Sequence, residues 1–282
     1  MSTRRGFLLG AAAGAAGAAA GATGARLLGE DEDGIRAGAT AAERRFLETA
    51  GAAAEFSDVG RLGTHRIVWS LTTTQPLVAL TFDDGPTPEY TPRILDALAA
   101  VGATATFNVT GYNAVQHADL LRQVVAAGHE LGNHTWTHED LSRLTPARTR
   151  EQIVRCAEEV EQLVERRFTS FRPPRGELTG SALQICAELG YEVRLWSCTR
   201  GPGDSGDPRE VARYVGSTPL AGDVVGLHDG IGRGTFAPRA AFAINLSARR
   251  EVEVRALPEA LARLGERGLS VVSVDRVQAA GS

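Results

Sequence analysis

The sequence predicts an α/β chain folded as an irregular (β/α)7 barrel, and three observations carry that reading. From Ile67 onward, short apolar runs alternate with helical patterns, the signature of βα units around a mostly parallel sheet. About seven such alternations occur, an order that suits a barrel rather than a sandwich. Gly102, Gly128, Gly190 and Gly268 each follow an apolar-periodic stretch, as C-terminal capping glycines do.

The first barrel strand is expected at Val78–Phe82, an apolar run ended by the turn Gly85-Pro86. Further strands are expected at Ala105–Val109, Glu130–Gly132, Phe171–Arg172, Val193–Trp196, Val224–Leu227 and Leu269–Ser273. Between them, helices are expected near Pro92–Val101, Ala118–Ala127, Pro146–Glu165, Gly180–Leu189, Pro208–Val215 and Leu257–Arg267. Thr145-Pro146 opens the longest of these with a capping hydroxyl and a proline at the first helical position.

Residues 1–25 read as an address rather than a fold element. Arg4-Arg5-Gly6-Phe7-Leu8 and the Ala/Gly-rich stretch after it resemble a twin-arginine export signal; a basic start on an Ala-rich tail is the alternative. That stretch is too weakly apolar for a stable membrane span, which needs about 20 strongly apolar residues. Residues 26–66 form an acidic, polar linker with one amphipathic helix expected near Ala41–Phe56. The domain proper is 67–282.

Composition narrows the chemistry. A net charge of −4 supplies no basic field for nucleic acid. All 30 basic residues are arginine, which excludes lysine Schiff-base catalysis and a lysine-bearing phosphate loop. Cys156, Cys186 and Cys198 have neither CxxC spacing nor an even count, and at most one pair could bridge.

The chemistry-bearing residues gather in two places. Asp83-Asp84 ends the strand Val78–Phe82, and His134-Thr135-Trp136-Thr137-His138 follows the strand near Glu130. Strand C-terminal ends are where barrel enzymes place their sites. Histidines four positions apart reach one ion from one side of a turn. One carboxylate and two imidazoles meet the three-ligand inventory of a catalytic zinc site, and the second carboxylate remains free as a base.

Four ordered motifs make the resemblance specific: Thr81-Phe82-Asp83-Asp84-Gly85-Pro86, Asn133–His138, Arg172-Pro173-Pro174-Arg175-Gly176 and Val225-Gly226-Leu227-His228-Asp229. Over roughly Pro76 to Val274 the chain resembles the polysaccharide deacetylase family (carbohydrate esterase family 4, the NodB homology domain). That resemblance implies metal ligation by Asp84, His134 and His138. Asp83 would be the general base acting on the attacking water, and His228 the acid that protonates the departing amine. Arg172 would hold the Asp83 carboxylate, and the Arg175 backbone N–H would stabilise the oxyanion. Thr135 would bond within the metal loop, and Leu227 and Trp196 would wall the acetyl methyl.

The resemblance implies an exported, metal-dependent hydrolase removing N-acetyl groups from an amino-sugar glycan. Zinc is the default metal, with cobalt or nickel able to substitute. The alternatives are an amidase for a small non-sugar amide and an inactive carbohydrate-binding module. Two departures from the family pattern stand out. Arg175 replaces the usual aromatic residue, and the stretch from Trp196 to Asp204 lacks an Asp-Trp pair, so Asp204 or Asp207 becomes the candidate acid for orienting His228. Arg175 and Arg200 near the site suggest a preference for an acidic glycan such as peptidoglycan over neutral chitin.

Overall fold

The computed structural model describes residues 65–201 and 205–281. The export signal, the expected helix near Ala41–Phe56 and Asp204 lie outside them. The described chain contains eight strands: β1 (Ile67–Val68), β2 (Leu77–Asp83), β3 (Thr106–Val109), β4 (Glu130–Asn133), β5 (Ser170–Phe171), β6 (Glu192–Arg194), β7 (Val224–His228) and β8 (Ser270–Val272). All named pairings are parallel, in the order β1-β6-β5-β4-β3-β2-β7, with β8 also on β2.

The ring closes through the segment after β6, where Cys198 bridges Val225 of β7 and its carbonyl accepts from Gly226 N at 2.8 Å. One edge of β2 takes β7 along residues 79–83. Its other edge is shared, with β8 on residues 77–79 and β3 on residues 81–83. All seven expected strands are present; only the two-residue β1 escaped the sequence reading, being too short to show a period.

Helices cover the outside: α1 (Thr91–Ala100), α2 (Gly111–Gln116), α3 (Ala118–Ala126), α4 (Pro146–Val164), α5 (Gly180–Leu189), α6 (Pro208–Ser217), α7 (Ala241–Glu266) and α8 (Val274–Ala280). Thr145 caps α4 as expected, its hydroxyl accepting from Arg148 N at 3.3 Å. The expected Leu257–Arg267 helix is the end of a much longer one. Pro258 resembles a helix start because it lacks an N–H, yet α7 runs through it and begins at Ala241. Among the described residues, no helix is long and apolar enough to cross a membrane. All three cysteines are free thiols.

Alternation along β2 sorts its side chains into two environments. Val78, Leu80 and Phe82 join the main apolar core with Ile94 and Leu98 of α1. Thr81 and Asp83 point the other way, to the buried guanidinium of Arg172. The barrel interior is therefore polar around its axis, and most of the apolar burial lies between sheet and helices.

A second buried charge cluster lies toward the strand N-termini. Arg194, 4% exposed, pairs with Glu130 of β4, with Glu192 at 2.8 Å and with Asp275 of α8 at 2.6 Å. Removing one partner from a buried ion cluster leaves the others uncompensated, at about 3–5 kcal/mol. Arg194→Ala should lower unfolding stability by that amount in urea titrations. An unchanged midpoint would mean that water already solvates these carboxylates.

Candidate active site

The strand ends of β2, β4, β5 and β7 converge on one cavity of about 450 Å3. Asp83, Asp84, His134, His138 and His228 all line it. Register explains part of this convergence, since Asp83 pairs directly with His228 across β2 and β7.

Asp83 is 5% exposed, and its Oδ1 accepts from Arg172 Nη1 at 2.8 Å and from Asn108 Nδ2 at 2.7 Å. Burial alone would raise its pKa; Arg172, with His134 and His228, overrides that and holds the carboxyl below its ordinary value. With Oδ1 occupied by two donors, Oδ2 is the oxygen left for a proton.

Asp84 follows with φ 83°, a left-handed conformation that side chains rarely adopt. The strained turn is fastened from β3 and α2, where Thr110 Oγ1 and Asn113 Nδ2 donate to the Asp84 carbonyl at 3.0 and 2.8 Å. Nε2 of His134 and Nε2 of His138 stand 3.6 and 3.2 Å from Asp84 Oδ1. That oxygen is buried and has no hydrogen-bond partner.

The tautomer of His134 is fixed by its surroundings. Its Nδ1 lies 2.7 Å from the Arg172 carbonyl, an acceptor only, so Nδ1 carries the proton and Nε2 offers its lone pair. Burial lowers the His138 pKa to about 4, against the opposing pull of Asp84, which keeps that ring neutral. Asp84 is also buried, but His138, His134, His228 and Arg250 hold it well below its usual value. One carboxylate oxygen and two imidazole nitrogens, mutually within 4.8 Å, are the donor set of a divalent transition metal. The orphaned Asp84 oxygen is the group such an ion would satisfy.

The loop between the histidines is held internally. Thr135 N donates to Asn133 Oδ1 at 2.9 Å, and Thr135 Oγ1 accepts from His138 N at 3.1 Å, the loop role expected for Thr135. Thr135, His138 and Arg175 have φ values of 70°, 55° and 61°. With Asp84, they account for four of the five left-handed non-glycine residues named in the described chain, a clustering typical of functional sites.

Other expectations are redistributed. Trp196 lines the cavity, but Leu227 is 2% exposed in the main core and does not. The apolar wall is completed by Ile231, Phe242 and Leu246 instead. Arg175 lines the cavity, yet its guanidinium binds Asp140 at 3.2 Å and Glu177 at 2.8 Å. Arg200 stands 3.4 Å from Glu253 and does not line the cavity; Arg233 does. Asp207 caps α6 through Arg209 N rather than reaching His228. The glycine-rich run after Asp229 has a packing role. A Cβ on Gly230 would meet the Asp84 backbone at 2.7 Å, and one on Gly232 the His138 ring at 3.0 Å.

Asn108, Asp229, Arg250 and Glu253 are the site residues that the sequence reading did not assign. Asn108 had a signal, a polar residue within an apolar strand. Asp229 belongs to the fourth motif; its carboxylate accepts from Gly85 N at 2.9 Å and Thr91 Oγ1 at 2.8 Å, tying β7 to the turn after Asp84. Arg250 and Glu253 had none, since they lie on a part of α7 not read as helix.

The polysaccharide deacetylase family model matches residues 70–194. A chitooligosaccharide deacetylase from Bradyrhizobium is 34% identical over 203 residues, covering 69% of this chain and 87% of that protein. The chain belongs to the polysaccharide deacetylase family. A peptidoglycan-N-acetylglucosamine deacetylase from Bacillus cereus is 34% identical over 169 residues, 59% of this chain and 79% of that protein. A crystal structure of a peptidoglycan N-acetylglucosamine deacetylase superposes with a TM-score of 0.66 at 26% identity, covering 75% of this chain and 92% of that one. Membership in this polysaccharide deacetylase family accounts for the irregular barrel and for the Asp-His-His cluster at its rim.

Burial raises Asp229 to about 7, against the bonds from Thr91 and Gly85. Its folded pKa thus exceeds its unfolded one, so the associated stability is present below pH ~4 and is lost as pH rises to about 7. Asp229→Asn, which cannot ionise, should flatten this part of the stability–pH profile in chemical unfolding measured from pH 4 to 8. Parallel profiles for both proteins would show that Asp229 is ionised throughout.

Proposed function

We propose that this protein is a metal-dependent hydrolase that removes the acetyl group from N-acetylated amino sugars of a cell-wall or extracellular glycan. The single observation that carries the reading is the convergence of Asp83, Asp84, His134, His138 and His228 on one cavity. The names of the Bacillus cereus and Bradyrhizobium relatives support N-acetylated glycans as the substrate class.

Asp84, His134 and His138 hold the cation, with zinc as the default for such a donor set and cobalt or nickel as substitutes. A divalent cation there supplies Lewis-acid activation of water and of the amide carbonyl. Asp83 takes the proton of the attacking water through Oδ2, while Arg172 and Asn108 keep its other oxygen fixed. The backbone N–H of Arg175, in its left-handed turn at the cavity wall, donates to the developing oxyanion. His228 protonates the departing nitrogen, because an amide anion is too poor a leaving group to depart unaided. Trp196, Ile231, Phe242 and Leu246 give the acetyl methyl and the sugar face an apolar wall.

Arg4-Arg5 and the Ala-rich stretch after them support export by the twin-arginine route, a route that would carry the enzyme to the cell wall or outside the cell. An inactive binding module would have no use for a base, an ion site and an acid in one cavity.

Chelation should abolish release of acetate from N-acetylated chito-oligosaccharides, and added Zn2+ should restore it. Asp83→Asn should retain bound metal by elemental analysis while losing about 10²–10⁴-fold in kcat. Asp84→Asn should weaken metal affinity by more than the roughly 10–100-fold typical of outer-shell partners. Equal metal loss in both variants would refute the division of roles between the two carboxylates.

A further inference from the structure

An imidazole that donates a proton needs a fixed ring and a fixed tautomer, normally supplied by an acceptor at its second nitrogen. Neither acid suggested by the sequence fills that place. Asp207 caps α6, and Asp204 lies outside the described residues. The acceptor comes from a different part of the fold.

We propose that Glu253, on α7, is the positioning carboxylate for His228, held in place by Arg250 and Arg200. This inference rests on the deacetylase reading, in which His228 is the acid. Glu253 Oε2 stands 3.1 Å from His228 Nδ1 and accepts from the His228 backbone N–H at 3.0 Å. One oxygen thus grips both the ring and the main chain of the same residue. A carboxylate at Nδ1 fixes the proton there and turns Nε2 to the cavity that His228 lines.

The other oxygen, Oε1, faces Arg250 Nη1 at 3.3 Å and Arg200 Nε at 3.4 Å. Glu253 is 2% exposed. An isolated carboxylate could not stay ionised at such depth; with His228 and two guanidiniums beside it, its pKa is lowered despite burial. Arg250 reaches further, donating from Nε to the Gly230 carbonyl at 2.7 Å and standing 3.4 Å from Asp84 Oδ2. The same arginine therefore braces the outer oxygen of the proposed metal ligand and the orienter of the proposed acid.

The N-terminal part of α7, before Pro258, has a chemical role in this assignment. Residues 241–256 carry Arg250 and Glu253 inward and Phe242 and Leu246 to the cavity. In the step itself, the C–N bond breaks with its electron pair going to nitrogen. Nitrogen takes the proton from Nε2, the imidazolium becomes neutral imidazole, and the second proton stays on Nδ1, donated in a hydrogen bond to Glu253 Oε2.

The test uses two acetylated substrates with different leaving groups. N-acetylated chito-oligosaccharide needs a proton on nitrogen; 4-nitrophenyl acetate releases a phenolate that needs none. Glu253→Gln should lower kcat on the amide about 10²-fold, with KM and bound metal unchanged. The ester rate should change by less than about twofold, since general-acid assistance is absent there. In a His228→Ala background, Glu253→Gln should add no further loss on the amide, because a residue acting through another is silent once that other is gone. Glu253→Asp, which keeps the charge, should recover part of the activity and serves for the same comparisons if the Gln variant does not fold. Equal losses on amide and ester, loss of metal, or an additive effect in the double variant would overturn the assignment. Wild-type protein that cleaves the ester but leaves the amide intact would instead refute the deacetylase reading, and the role of Glu253 with it.

Discussion

The guanidinium of Arg172 is the constraint around which this barrel is arranged. It is fully buried, and a buried charge is tolerated only when its donors are met. Nε and Nη2 donate to the carbonyls of Arg194 and Leu195, at 2.9 and 2.7 Å. Nη1 donates to Thr81 Oγ1 at 2.6 Å and to Asp83 Oδ1 at 2.8 Å. The carbonyl of the same residue accepts from His134 Nδ1. One side chain and its own peptide thus set the β2–β6 geometry, the orientation of Asp83 and the tautomer of His134. An apolar residue there could fill the volume but could not order the two polar groups at the rim.

From that hub the site is built under local strain, and the surrounding packing holds it. Asp84, Thr135, His138 and Arg175 occupy backbone conformations unfavourable to side chains, each typically costing on the order of 1–3 kcal/mol. What offsets this is a dense set of bonds from neighbouring elements: Thr110 and Asn113 on Asp84, Asn133 on Thr135, and Asp229 on Gly85. Gly230 and Gly232 let β7's following loop approach Asp84 and His138 closely. The same rigidity keeps the Asp84 oxygen and two imidazole nitrogens converged on one point, although each atom by itself would prefer a partner.

Charge is distributed to suit this arrangement. Three buried arginines neutralise the site's carboxylates: Arg172 pairs with Asp83 and Arg200 with Glu253 from behind the cavity, while Arg250, at the cavity wall, faces Glu253 and Asp84. Arg175, which the sequence suggested as a determinant for acidic glycans, spends its charge on Asp140 and Glu177. Arg233 lines the cavity wall, and its charge helps to hold Glu139 below its ordinary pKa. The apolar side of the cavity comes from Trp196 and from the segment between β7 and the middle of α7.

Sequence alone determined the elements and motifs whose local pattern is long or specific enough to read. The seven strands were legible because fully buried parallel strands appear as short apolar runs, and α4 because its cap and first-turn proline are adjacent in the chain. The five cavity-lining groups Asp83, Asp84, His134, His138 and His228 were legible because each falls at a strand end within a motif whose spacing is itself the signal. Tertiary structure decided what depends on approach between distant segments. Glu253 reaches His228 from 25 positions away, Arg250 reaches Asp84 from 166 positions away, and both ride a helix whose start Pro258 disguised. Alternation along β7 puts Leu227 on the face opposite His228, in the core, while Ile231, Phe242 and Leu246 of the following loop and helix took the wall. Hydrophobic period and motif spacing are properties of neighbours in the chain; the partner of a buried charge is a property of neighbours in space, and only the folded molecule specifies it.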